Sequence, residues 1–173
     1  ANASTGLIPD WCNHDGSYIN GIVNDKFESY FLYDAIRIPW RLAHAYAWYG
    51  HPRAKAMAEK ITTWAEKETS GNPANAVDGY LLNGSPFNNP DNHPGFTELG
   101  KHSNPCFTGG ISIGAMVDPS FSSLLNACWV EGSKVDNYGA YYTETTQLLY
   151  MMTLTGNMPN FYDMVPLPEL AET

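Results

Sequence analysis

Apolar positions recur at helical spacing in four stretches of the chain. Ile38, Leu42, Ala45, Tyr46 and Tyr49 fall on one face, Pro39 suits the first turn and Gly50 suits the end, which predicts a helix over about 35–49. Pro52 can open a second helix, with Ala54, Met57, Ala58, Ile61, Trp64 and Ala65 on one face and Arg53, Lys55, Glu59, Lys60, Glu66 and Lys67 elsewhere. The very short turn between the two predicts an antiparallel pair. Asp118-Pro119 is a start signal for a third, in which Phe121, Leu124, Leu125, Cys128 and Trp129 form the apolar face. The last runs from about Tyr141 to Thr155 and is ended by Gly156. Phe107–Met116, FTGGISIGAM, fits a tightly packed helix or a strand, because two adjacent glycines weaken any choice by propensity.

Between these stretches the pattern breaks. Residues 69–106 carry Gly, Pro and Asn throughout, and only YLLNGSPF, with its Asn-Gly, resembles a small hairpin. A loop this long in a compact domain is usually functional. Residues 1–33 read as a surface loop leading into a packed segment, and MPNFYDMVPLPELAET, with three prolines, as an extended surface tail. No strand-helix alternation and no close repeat is visible. The expected class is all-α, with helices stacked in hairpins.

Composition narrows the function. Across 173 residues, 43% hydrophobic and 13% aromatic content is ample for one domain core, and the chain reads as soluble and globular. No run approaches the roughly 18 apolar residues of a membrane span, and ANASTGLIPDW lacks the regions of a signal peptide, as a mature or trimmed chain would. The net charge of −9, without a Lys/Arg cluster, argues against nucleic acid. Cys12, Cys106 and Cys128 form no scaffold or zinc spacing; one bridge plus a free thiol and three buried thiols are both open. His14, His44, His51, His93 and His102 show no paired metal spacing. NHDGSYIN resembles part of a calcium loop. Placing Asn13, Asp15 and Gly16 at loop positions 3, 5 and 6, however, puts Trp11 and Ile22 where carboxylates are required, so a polar turn is expected. No metal or cofactor is expected.

One cluster remains. On a helix Asp34, Arg37 and Arg41 lie along one stripe at i, i+3 and i+7. A helix start and two guanidiniums favour the ionised carboxylate, the form that accepts a proton. An Asp at a helix start is most often a cap, and an Asp–Arg pair most often structural. Around this one crowd Tyr30, Tyr33, Trp40, Tyr46, Trp48 and Tyr49, the rings a carbohydrate cleft uses for stacking, although each singly is core more often than platform.

The run YDAIRIPWRLAHAYAWYG resembles the segment of glycoside hydrolase family 8 that reads approximately YDAxRxPWRxAxDYxWYG. GLIPDWC upstream, and GYLLNGSP, FTGGISIGAM and YYTETTQLLYMMTLTGN downstream, resemble other segments of that family in the same order. The resemblance implies a secreted, inverting hydrolase of β-1,4-linked polysaccharide built as an (α/α)6 barrel, of which this chain would supply about half, the carboxyl-terminal part of one catalytic domain. It implies a cellulase-type endoglucanase, with xylan, mixed-linkage glucan or chitosan as alternative substrates and a non-catalytic carbohydrate-binding half as the rival class. Asp34 would be the general base, with Tyr33 and Arg37 beside it and Trp40, Arg41 and Tyr141 as substrate contacts; Tyr142 is weighed alongside Tyr141. Nothing here resembles the SEGxGYGM-like motif that carries the family's acidic Glu. The expected partner is therefore an amino-terminal half, on a separate chain or segment. His44 stands where an acidic residue is common. Glu98 and Asp91 read as exposed loop carboxylates in preference to subsite contacts.

Overall fold

A computed structural model describes residues 1–17, 30–88, 97–134 and 140–160. Five α-helices are found among them: α1 (Ile38–Tyr49), α2 (Pro52–Thr69), α3 (Pro105–Ala115), α4 (Ser122–Gly132) and α5 (Tyr141–Leu154). The all-α class expected from the sequence holds, built of the stacked helix hairpins of an (α/α)6 barrel. α1 and α2 form one hairpin and α3 and α4 another, while α3 also packs against α1, α2 and α5.

The caps follow the local sequence. Gly50 ends α1 in the left-handed region (φ 63°), its N–H reaching back to the carbonyls of Ala45 and Tyr46. Asn104 opens α3 by accepting the Cys106 N–H at 2.9 Å. Asp118 accepts the Ser120 N–H at 3.0 Å at the 3₁₀ turn that leads into α4. Lys55 on α2 bridges Asp118 (2.8 Å) and Glu59 (3.0 Å), which ties the connection between α3 and α4 to the first hairpin.

The segment left open between helix and strand is α3, with Cys106–Ala115 all buried. A helix apolar all round belongs inside, and its glycines let three neighbours close on it. A Cβ at Gly109 would fall on the Tyr150 ring of α5, and one at Gly110 would sit 2.6 Å from the Ile36 carbonyl. At Gly114 it would meet Thr62 of α2 at 2.8 Å. The loss of helix propensity at each glycine is offset by this close approach. Phe107 and Ile113 of α3 share a core with Phe31, Ile36, Ile61, Tyr80 and Tyr150, and Phe31, Trp64, Tyr80 and Phe107 meet mostly edge to face.

The Asn-Gly stretch turns tightly, Leu81 N–H donating to Ser85 O at 2.8 Å, but makes only isolated bridges: Tyr80 with Pro86 and with Phe31. Asn13–Ser17 forms the expected polar turn, in which Asp15 accepts from the Ser17 N–H and hydroxyl. Ile22, Asp91, His93 and the tail beyond 160 lie outside the described residues. All three cysteines are free. Cys106 and Cys128 are buried and Cys12 is exposed, so neither a bridge nor three buried thiols is found.

Candidate active site

Asp34 precedes a 3₁₀ turn, Ala35–Arg37, that runs directly into α1. Its side chain caps no N–H, so the commonest structural use of an aspartate at a helix start is absent here. It pairs instead with the Arg37 guanidinium, whose Nε also donates to the Asp34 carbonyl at 3.3 Å. Side-chain exposures of 43% for Asp34 and 37% for Arg37 leave the carboxylate open to water while one oxygen is held.

Four groups fix the turn from below. The Asp10 carboxylate accepts the N–H groups of Leu32 and Ala35 on one oxygen, at 2.8 Å each, and the Asp10 N–H donates to Tyr30 O at 2.8 Å. Burial pushes the Asp10 carboxyl up to about 6, against backbone hydrogen bonds from Ala35, Leu32 and Asp34 that favour its charge. The Tyr33 ring stands edge to face on Phe107 (5.3 Å) and Tyr142 (5.9 Å). Its hydroxyl accepts from Asn104 Nδ2 at 3.1 Å and faces Asp78 Oδ2 at 3.5 Å, while Asp78 Oδ1 accepts the Gly100 N–H at 2.7 Å. Burial and the Asp78 charge raise the Tyr33 phenol, which stays protonated. From α5 the Tyr142 hydroxyl donates to Tyr33 O at 2.5 Å.

The geometry sorts the expected site residues. Asp34, Arg37 and Tyr33 come together, but the Tyr33 hydroxyl turns inward to Asp78 and Asn104, a tether for the turn. Trp40, expected to meet substrate, is 5% exposed. Its ring packs edge-on against Tyr150 and its N–H contacts Thr153 Oγ1 at 3.1 Å, so it is a core residue. Arg41 lies over the Trp40 ring at 4.2 Å, and no contact joins it to Asp34 among the described bonds; the stripe of three charges is a pair. The reason is local: the 3₁₀ turn rotates residues 35–37 off the register that an unbroken helix would impose. Tyr141 is 83% exposed, and the α5 tyrosine delivered to the turn is Tyr142. His44 is buried, stacked on Trp48 at 4.1 Å, and within 3.3 Å of Trp40 Nε1. Desolvation, with Arg41 nearby, lowers its pKa and keeps the ring neutral. Glu98 is an exposed loop carboxylate, next to Lys101 and His102.

Sequence reasoning gave no role to Asp10, Asp78 or Asn104. Asn104-Pro105 is a readable helix-cap signal, but the partners of Asp10 and Asp78 lie more than 20 residues away. Among the described residues no group of three or more His, Cys, Asp or Glu is placed to hold a metal ion, and no helix is long and apolar enough to cross a membrane.

Tyr142→Phe keeps the edge-to-face contact and deletes one exposed hydrogen bond to the Tyr33 carbonyl. A loss of about 0.5–1.5 kcal/mol is expected by chemical denaturation; an unchanged midpoint would mean that water replaces the hydroxyl without cost.

No family model matches the chain. Among curated proteins it is similar to "Endoglucanase A" of Acetivibrio thermocellus, at 34% identity over 98% of this chain and 31% of that protein. It is similar also to "Endoglucanase 2" of Ruminiclostridium josui, at 32% over 97% and 32%. With "Beta-glucanase" of Niallia circulans it shares 30% over 90% and 36%. The chain thus spans about a third of the length of these relatives. Among solved structures, the apo β-1,3-1,4-glucanase of Paenibacillus sp. X4 superposes with a TM-score of 0.77 at 26% identity, covering 91% of this chain and 39% of that one. A reducing-end xylose-releasing exo-oligoxylanase, at 20% identity and a TM-score of 0.64 over 92% and 39%, shares the fold.

Proposed function

We propose that the protein carrying this chain is an endo-acting, inverting β-1,4-glucanase of the family 8 type, secreted to act on polysaccharide, in which Asp34 is the general base. The observation that carries this is the Asp34 carboxylate, uncapped and half open to water, held by Arg37 on a turn braced from four sides. The likeness to endoglucanases and a β-glucanase along nearly the whole chain supports the substrate class. An ionised carboxylate in this setting takes a proton from a water, and that water attacks the anomeric carbon from the face opposite the leaving oxygen. Inversion then needs a carboxylic acid roughly 6.5–9.5 Å away to protonate that oxygen. That acid is proposed on a part of the protein outside these residues, as the longer relatives allow, and this chain is proposed as one part of a single catalytic domain.

Proton NMR of a cello-oligosaccharide digested by the complete protein tests both steps. The α-anomer is expected first at the new reducing end; the β-anomer first would overturn inversion. No turnover of carboxymethylcellulose, mixed-linkage glucan, xylan or chitosan would favour a binding role.

A further inference from the structure

Asp10 is a half-buried carboxyl whose side-chain hydrogen bonds both run to the backbone of the turn that carries Asp34. A single oxygen accepts from Leu32 and from Ala35, the residues two before and one after Asp34. The aspartate comes from the amino-terminal segment, 22 and 25 residues from those two donors, so it joins two otherwise separate parts of the chain at that point. The titratable groups that face it are the Asp34 carboxylate on the turn and the Tyr142 phenol on α5, and Arg37 supplies the neighbouring positive charge through its pair with Asp34.

We infer that Asp10 is a positioning residue for the reaction: its carboxylate fixes the backbone of the Leu32–Ala35 turn and so aims the Asp34 side chain at the attacking water. This rests on Asp34 being the general base. Both backbone N–H groups go to one oxygen, which still accepts them when the other is protonated; what protonation removes is the negative charge that makes those bonds strong. Burial places that change near pH 6, where the pin loosens as pH falls. The fold itself does not weaken there. A carboxyl raised from 3.8 to about 6 contributes stability below its unfolded pKa and loses it as pH rises through 6, so stability and aim move in opposite directions with pH.

Asn at position 10 keeps an acceptor oxygen for the two N–H groups but carries no charge at any pH, as the protonated acid does. In the complete protein, Asp10→Asn is expected to lower kcat on carboxymethylcellulose at pH 7.5 by about tenfold, in line with a small misplacement of a reacting group. KM should stay within about twofold, and the limb of kcat near pH 6 should disappear. Unchanged kcat with an unchanged pH profile would overturn the proposal, as would a loss of kcat that leaves the limb near pH 6 in place. If the variant fails to fold, the wild type decides. The Ala35 amide proton shift should titrate with the same midpoint as kcat, and midpoints more than one pH unit apart would overturn it. Asp34→Asn, assayed in parallel, separates the two ideas: if it stays active, the base assignment fails, whereas a dead Asp34→Asn beside a normal Asp10→Asn removes Asp10 alone.

Discussion

Asp34→Asn in the complete protein is expected to reduce kcat on carboxymethylcellulose by roughly 10²–10⁴-fold, the range lost with a general base. KM should change little, because a general base acts on water and not on the sugar. The fold should be nearly indifferent. The Asp34 side chain caps nothing, and its partner Arg37 is more than a third exposed, so the pair is worth about 0–1 kcal/mol to stability. An asparagine keeps an oxygen for the guanidinium and the shape of the group, while losing the charge that draws the proton. The informative readout is thus the split between activity and thermal midpoint. A variant that turns over at the wild-type rate removes Asp34 from the chemistry. A variant that loses activity only in step with its midpoint makes the carboxylate structural.

Much of this was legible because it is local. Helix starts at Pro52 and Asp118-Pro119, the stop at Gly50 and the tight Asn-Gly turn are encoded within a few residues, and the helices of the structure begin and end there. The pairing of Asp34 with Arg37 is local too, and survives the change from α to 3₁₀ geometry. What helical spacing could not show was which ring or charge points where. Trp40 and Tyr141 look equally suited to a sugar platform, yet Tyr150 and Thr153 of α5 lie against the first, which is buried, and solvent surrounds the second. Arg41 fits the stripe by spacing, but the indole beside it offers its guanidinium a face to lie on. The supports of the turn were beyond reach for another reason. Asp10 and Asp78 act on backbone N–H groups 22 to 25 residues away, and no periodicity encodes a partner at that distance. FTGGISIGAM was ambiguous because its glycines are explained by what lies against them, which only packing reveals.

That packing leads to a large expected effect on stability at Gly110. In an open helix, Gly→Ala stabilises by roughly 1 kcal/mol, since alanine loses less backbone freedom on folding. Gly132, at the end of α4, approximates that case, because an added Cβ would meet nothing nearer than Met151 Sδ at 3.9 Å. At Gly110 the same Cβ would stand 2.6 Å from the Ile36 carbonyl oxygen and 2.8 Å from its side chain. A carbonyl in a 3₁₀ turn cannot swing aside as a side-chain tip can, so α3 and the turn must separate. The cost of overpacking is about 1–3 kcal/mol or more, and it outweighs the gain in propensity. Gly110→Ala is therefore expected to lower stability while Gly132→Ala holds or raises it, a contrast that guanidinium unfolding of the two variants reads directly. Ile36 lies in the turn between Asp34 and Arg37, so the displacement at Gly110 is delivered to that pair. Gly110→Ala should consequently lose kcat even at temperatures where it remains folded, and Gly132→Ala should not. If the folded Gly110→Ala protein kept full kcat, the turn would be shown to move without carrying Asp34 with it, and its rigidity would no longer explain the aim of the base.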